Sequence, residues 1–351
     1  MGDAVVITVE TVLGEVGVAE LGPTQIHEHV LVDCRSPDPA QRVVSEPLAL
    51  SNYYDIRYGD DHQEDLLLDS VEDATHELRR FAEAGGRTIV DVTPADLGRR
   101  PAGLREVARL AGVNVIMGCG YYVHDYHAPE VHDLPMEALA EAIARDCLEG
   151  VLLAGTTGRD RPIKSGVIGE IGLSWPLLEC ERKVLVAASR AQRASSRALV
   201  IHPGRHPDAL FEAVEIVESC GVDLDRVVMS HVDRTVDDPR TVERLARTGV
   251  FVAFDLFGRE CSHYPYSDFS MPNDGGRLRL IRSLVDAGFA DRVLISHDIY
   301  SKVRTSRYGG EGYAHILQRI VPRLSRYGLD DLWRQFLVTN TAAVLAGACA
   351  R

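Results

Sequence analysis

The sequence predicts an α/β fold, a TIM (β/α)8 barrel with a short N-terminal β-hairpin, and three observations carry that expectation. Eight short apolar runs alternate with amphipathic stretches along the chain. Several of the amphipathic stretches stop at glycine. Residue types that bind metals fall at the C-terminal ends of five of the eight runs. At 351 residues the chain is long for an average domain. Barrels of this class nevertheless run past about 250 residues as one unit. We therefore expect a single domain over 1–351, with a hairpin at 5–22 and the barrel over 24–345.

Residues 5–22, VVITVETVLGEVGVAELG, alternate around Gly14, which suits a hairpin closing the bottom of the barrel. The expected strands are 24–30, 87–92, 113–118, 166–171, 198–202, 226–231, 250–254 and 292–297. Helical stretches between and after them include 69–84, 136–149, 178–195, 208–219, 239–248, 277–287 and 312–325. Gly85, Gly150, Gly221, Gly249 and Gly288 supply C-terminal stop signals. Strands alternating with helices imply a parallel sheet. A closed barrel and an open doubly wound sheet both satisfy that alternation, and the lack of GxGxxG after any strand weakens the dinucleotide-binding version. Residues 34–66 are polar, contain proline and show no clear period, so they read as a long loop over the barrel mouth.

The composition, 45% hydrophobic and 26% charged, is that of an ordinary globular chain able to bury a sizeable core. A formal net charge of -14 argues against nucleic acid or an anionic membrane as partner. Residues 1–6 lack the basic and apolar regions of a signal peptide and the Ser or Thr needed at position 6 for myristoylation. No apolar run approaches a membrane span. The seven cysteines, Cys34, Cys119, Cys147, Cys180, Cys220, Cys261 and Cys349, are scattered and never spaced as CxxC. Free thiols in a reducing cytoplasm are the expectation.

The chemistry gathers at one end of the strands. Strand one ends in His27-Glu28-His29, strand four in Glu170, strand five in His202, strand six in His231 and strand eight in His297-Asp298. In a barrel that end is where active sites lie. Side chains two apart on a strand share a face, so His27 and His29 can grip one ion while Glu28 points away. Imidazole nitrogen and carboxylate oxygen suit zinc and similar divalent ions. Taken singly, each residue has a plainer use: a satisfied core histidine, a paired carboxylate, or a helix N-cap at Asp298. Their joint placement points to a metal centre made of His27, His29, Glu170, His202, His231 and Asp298.

The stretches GPTQIHEHVLVD (22–33), MGCGYY (117–122), GVIGEIGLSWPL (166–177), VIHPGR (200–205), MSHVDR (229–234) and ISHDIYSK (295–302) resemble the phosphotriesterase family of the amidohydrolase superfamily. GEIGLSWP and RYGGEGYAHI (307–316) are similar to its phosphotriesterase-related, resiniferatoxin-binding-like branch. The resemblance spans nearly the whole chain. It implies two divalent metal ions, zinc first among them, with His27, His29 and Asp298 on the more buried ion and His202 and His231 on the more exposed one. A carboxylate and a hydroxide would bridge them. The best-known members use a carboxylated lysine on strand four, but here Gly169 takes that position and Glu170 comes next. Lys164 lies six residues before Glu170, roughly 20 Å along an extended strand and toward the wrong end of the barrel. The bridge is therefore assigned to Glu170.

A hydroxide bridging two metals solves the problem of a weak nucleophile at neutral pH. Asp298 is the expected general base, with a purely structural role as the alternative. Tyr122 and Arg205 are expected to face substrate, as are Lys302, Arg304 and Arg307 after strand eight, whose charges could hold an anionic group. Tyr121 and Trp175 line the pocket or pack beside it, and His297 supports from behind. The expected activity is hydrolysis of an amide, ester or lactone of a small molecule. The alternatives are phosphotriester or phosphoester hydrolysis and a non-catalytic ligand-binding barrel. Analogy with the family also allows a homodimer.

Overall fold

A computed structural model of the chain describes residues 7–42, 46–59, 62–153, 161–261, 263–266 and 268–346. Residues 1–6, including the first two positions of the expected hairpin, and Cys349 lie outside the described residues. All eight expected barrel strands are present: Thr24–Glu28, Thr88–Asp91, Asn114–Met117, Val167–Gly172, Ala198–His202, Val227–Met229, Phe251–Phe254 and Val293–Ile295. Strands one to three form one parallel sheet and strands four to eight another. Backbone hydrogen bonds close both seams. Gly166 N donates to Met117 O at 2.9 Å and Gly169 N to Cys119 O at 2.6 Å, while Asp298 N donates to His27 O at 3.1 Å.

Residue alternation splits the core into two layers, as a closed barrel requires. Ile26, Val90, Ile116, Val167, Val200, Val228, Phe251, Ala253 and Leu294 form the inner cluster. Ile168, Leu199, Ile201, Val227, Met229, Val252, Phe254, Val293 and Ile295 pack outward with the helices. The hairpin pairs Thr8–Thr11 with Gly14–Gly17. Its Val9 joins the inner cluster, together with Val344 and Leu345 near the chain's end. It therefore plugs the bottom of the barrel.

The surrounding helices occupy the expected places, and the five stop glycines all have positive φ. Two differences have local causes. A helix at Pro101–Ala111 lies between strands two and three, with Pro101 at its first turn and Gly112 ending it in the left-handed conformation. The stretch expected as a helix over 312–325 is a wide-turn segment, Ile316–Ile320, followed by a tight-turn segment, Val321–Tyr327. Pro322 cannot donate the backbone bond that a continuous α-helix would need there. The long loop after strand one contains a short antiparallel pair, Val32–Asp33 with Leu67–Leu68, and a helix, Tyr53–Tyr58. Among the described residues no helix is long and apolar enough to cross a membrane.

Two β-bulges set which side chains reach the barrel mouth. On strand one, Gln25 pairs with Ile89 but Glu28 with Asp91, so strand one carries an extra residue. On strand four, Ile168 pairs with Leu199 but Ile171 with Ile201, again one residue over. An extra residue flips the in-and-out phase of the strand beyond it. Counted from Ile26 and Val167, simple alternation would turn Glu28 and Gly169 inward. The bulges turn in His27, His29 and Glu170 instead. Gly169 adopts φ +128°, and a Cβ there would stand 2.4 Å from Val200 O. No side chain, lysine included, fits at that position.

Gly169→Ala should therefore destabilise the fold by about 2 kcal/mol or more, through backbone strain and collision with strand five. Chemical denaturation of the metal-free protein measures it, and an unchanged midpoint would contradict the bulge geometry.

Candidate metal centre and cavity

The six residues expected as ligands meet at the C-terminal end of the barrel. His27 Nε2 lies 3.4 Å from Glu170 Oε2 and 3.6 Å from Asp298 Oδ1. His29 Nε2 lies 3.2 Å from Glu170 Oε1 and 3.3 Å from Asp298 Oδ1. On the other side, Glu170 Oε2 lies 2.7 Å from His202 Nδ1 and 3.5 Å from His231 Nε2, and these two nitrogens are 3.0 Å apart. Glu170 thus stands between two groups, with one oxygen toward His29 and the other toward His202 and His231. All six are buried. His231 and Asp298 are held in the left-handed backbone region, φ 53° and 55°. Non-glycine residues there are strained and cluster at functional sites.

Three of the imidazoles have one nitrogen tied down and the other turned to the centre. His27 Nδ1 lies 2.9 Å from Ser230 Oγ and 3.3 Å from Asp255 Oδ2. His29 Nδ1 lies 2.9 Å from Thr93 Oγ1, and His231 Nδ1 lies 2.9 Å from Asp255 Oδ1. Such outer contacts fix ring orientation in metal sites. Asp255 thus steadies two of the rings, and reading residue types at strand ends missed it. It comes directly after strand seven, so the rule applied to the other strands, moved one residue on, would have found it. Glu28, turned away as expected, accepts from His297 N and Ile299 N and lies 2.8 Å from His297 Nδ1. His297 is thereby a support for the strand-eight loop.

The donor set fits divalent cations. His27 Nε2 is buried without a hydrogen-bond partner while facing two carboxylates. His27, His29 and Asp298 present ligand atoms within 4.8 Å of one another, and so do His27, Glu170 and His231. The electrostatics agree. Burial lowers the basicity of His231, but the carboxylates of Asp255 and Asp298 outweigh it and push the ring up to about 10. Burial raises Asp298, yet His231, His29 and His27 hold it down to about 2. The cluster draws positive charge inward, and metal ions would supply it.

The centre opens into a cavity of about 1130 Å³, which the long loop after strand one helps to line through Ser36, Gln41 and Ile56. Tyr122 and Arg205 line it as expected, and Tyr122 Oη lies 3.5 Å from His202 Nε2. Arg304 also reaches the wall, but it is buried, pairs with Glu311 at 2.7 Å and donates to the carbonyls of Asp298 and His297. Lys302 and Arg307 are not among the lining residues. Lys302 pairs with Glu64 at 3.4 Å, and Arg307 bonds Asp73 on the second helix of the chain. Tyr121 packs against the outer core, and Trp175 stacks on His206.

Arg57, from the long loop after strand one, also lines the cavity and pairs with Glu311 at 3.0 Å, whereas three further cations of the wall lie after strands five, six and seven. Arg205 Nε donates to Tyr264 Oη at 2.8 Å, and Arg259 Nη1 to Tyr300 Oη at 2.8 Å. Arg234 Nη2 lies 2.9 Å from His202 Nε2 and donates to Pro203 O at 3.1 Å. Among the described residues none of the three pairs with a carboxylate, and Arg234 Nη1 and Arg259 Nε lack partners. Arg234 stands in MSHVDR, whose charge next to a ligand was the available signal.

Comparison with known proteins places this geometry. The phosphotriesterase family model matches residues 7–344. N-acetyltaurine hydrolase from Pongo abelii is 40% identical over 341 residues, covering 95% of this chain and 96% of its own. The crystal structure of a resiniferatoxin-binding protein from Rhodobacter sphaeroides superposes with a TM-score of 0.89 at 34% identity, covering 98% of this chain and 96% of that one. A lactonase from Listeria monocytogenes gives a TM-score of 0.76 at 25% identity, covering 96% and 98%. With groups that could hold metal ions at the mouth of a TIM barrel and relatives that hydrolyse small molecules, the chain is a metal-dependent hydrolase and belongs to the phosphotriesterase family.

Proposed function

We infer that this hydrolase cleaves the amide bond of a small N-acylated amine that carries an anionic group, such as a sulfonate or carboxylate. One observation carries the reading: Arg205, Arg234 and Arg259 face the cavity beside the metal ligands without a carboxylate partner among the described residues. Arg234 is buried, Arg259 half-buried and Arg205 exposed; leaving a buried guanidinium unpaired is costly, and a substrate anion would satisfy the group. A neutral phosphotriester or lactone would leave that charge unanswered. The name of the relatives at about 40% identity, N-acetyltaurine hydrolase, fits such a substrate. The reading includes two divalent ions, zinc first among them, on His27, His29 and Asp298 and on His202 and His231, with Glu170 shared. A cytoplasmic setting accords with the free cysteines among the described residues.

Bound metals would supply Lewis acidity, lowering the pKa of water from ~15.7 toward ~7 and polarising the scissile carbonyl. Asp298, held anionic by the neighbouring histidines, takes the proton of the attacking water on a carboxylate oxygen and passes it to the leaving amine nitrogen. Tyr122 is a hydrogen-bond donor at the cavity wall, because burial and then Glu170 raise its phenol well above the usual range. The arginines orient the anionic end, so the acyl end faces the metals.

Three outcomes test the reading. Against a panel of N-acyl amino-sulfonates, neutral amides, lactones and phosphotriesters, kcat/KM should be highest for the N-acyl anions. Arg205→Met or Arg259→Met should raise KM for them about 10- to 100-fold, the worth of a charged hydrogen bond, while neutral amides change little. A preference for triesters or lactones would reject the assignment.

Asp298→Asn should lower kcat by about 10²–10⁴ with metal retained. Normal turnover at normal metal content would remove the base role.

Elemental analysis should find two divalent ions per chain at this centre, and Glu170→Ala should weaken both sites together. Reactivation of stripped protein by zinc should be as fast without bicarbonate as with it, because glutamate is already a carboxylate, with a reference pKa of ~4.3. A bicarbonate requirement would overturn the Glu170 bridge.

A further inference from the structure

A second group of metal-ligand residues sits beside the cavity and takes no part in the centre around Glu170. His124, His127 and His132 lie on the loop after strand three, and Cys180 is the second residue of the helix Glu179–Ser195. Their ligand atoms lie within 4.8 Å of one another. His124 Nδ1 is 3.0 Å from Cys180 Sγ, and the ring centroids of His124 and His132 are 4.7 Å apart. We propose that His124, His127, His132 and Cys180 form a separate His3Cys site for one divalent transition-metal ion of the zinc type, fastening the loop after strand three to the helix after strand four.

The strongest sign is His127. It is 7% exposed, and its Nε2 donates to the carbonyl of Tyr122 at 2.7 Å. That bond fixes the tautomer and leaves a lone pair on Nδ1, which is buried with no hydrogen-bond partner. A ring with one nitrogen anchored to a backbone carbonyl and the other bare carries the kind of outer contact that metal-bound histidines make. Three imidazoles and a thiolate make a tetrahedral set for zinc. Bonds of ~2.0–2.3 Å put such donors ~3.3–3.6 Å apart, so the present spacing needs only side-chain convergence. On binding, the Cys180 thiol gives its proton to solvent and the sulfur bonds to the ion.

The surroundings are built to hold the ligands in place. Lys183 Nζ donates to the carbonyls of Val131, His132 and Leu134, pinning the turn that carries His132. Glu181, fully buried, accepts from the backbone N of His124 and from Ser174, joining the two segments a second time. The site also bears on the cavity, since Tyr122 stands two residues before His124. An ion here would brace the wall from which Tyr122 reaches toward His202.

Sulfur makes the test selective, because the donors around Glu170 are nitrogen and oxygen only. The holoenzyme is stripped with chelator and reloaded with Co²⁺ alone. The expected result is a near-ultraviolet thiolate-to-cobalt charge-transfer band whose intensity at saturation corresponds to one thiolate-bound ion per chain. It should vanish in Cys180→Ser, weaken in His127→Asn and persist in Cys34→Ser, whose cysteine lines the same cavity. No band in the wild type, or a band that survives Cys180→Ser, overturns the proposal. A measurement on the wild type alone covers the case of a variant that does not fold. Zn²⁺ should shield Cys180 from iodoacetamide, as read by peptide mass spectrometry, and equal labelling with and without Zn²⁺ overturns the site.

Discussion

Uncompensated negative charge at the top of the barrel is the constraint around which this molecule is arranged. Glu170, Asp298 and Asp255 are all buried there, and no lysine or arginine forms an ion pair with them among the described residues. Burying carboxylates in that way costs several kcal/mol per group unless a cation answers them. Histidines answer in part. Strained backbone at His231 and Asp298 and two β-bulges are then tolerated because they aim ligand atoms at the same small volume. The closed barrel gives these residues a rigid rim, and the apolar layer of Ile26, Val200 and Phe251 beneath keeps solvent from reaching them from below.

Beside that volume stand guanidinium groups. Arg205, Arg234 and Arg259 stand on the loops after strands five, six and seven, with Tyr264 and Tyr300 as neutral hydrogen-bond partners. The chain carries a net charge of -14, yet one part of its cavity wall gathers three guanidinium groups that have no carboxylate partner among the described residues. Local charge in a pocket is set by a few side chains and is independent of the global balance. The six clustered carboxylates and imidazoles lie toward the barrel axis, and these three guanidinium groups with their phenol partners stand on the cavity wall.

The sequence made the strands and the ligand set legible because both rest on local patterns. Apolar runs bounded by glycine marked all eight strands, and residue type at their C-terminal ends marked the six residues that meet there. What it hid depends on register and on partners far away in the chain. Glu170 turns inward only because strand four holds one residue more than strand five opposite it. Asp255 was concealed by a boundary one residue short. The charges after strand eight looked like substrate contacts, but Lys302 and Arg307 find Glu64 and Asp73, residues more than 200 positions earlier. A pairing at that distance leaves no mark on a single sequence.

Arg304 shows what such a pairing entails. Its guanidinium is buried, held by Glu311, and spans the carbonyls of His297, Asp298 and Phe257. The loop after strand eight is thereby riveted to the backbone of Asp298. In many barrels loops are the freely exchangeable parts, swapped to admit new substrates while the frame stays constant. Here the eighth loop has lost that freedom, since altering it disturbs the backbone under Asp298. Changes to the cavity are accommodated more easily on the loops after strands one, five and seven, whose cavity residues can be replaced without moving the backbone of Asp298.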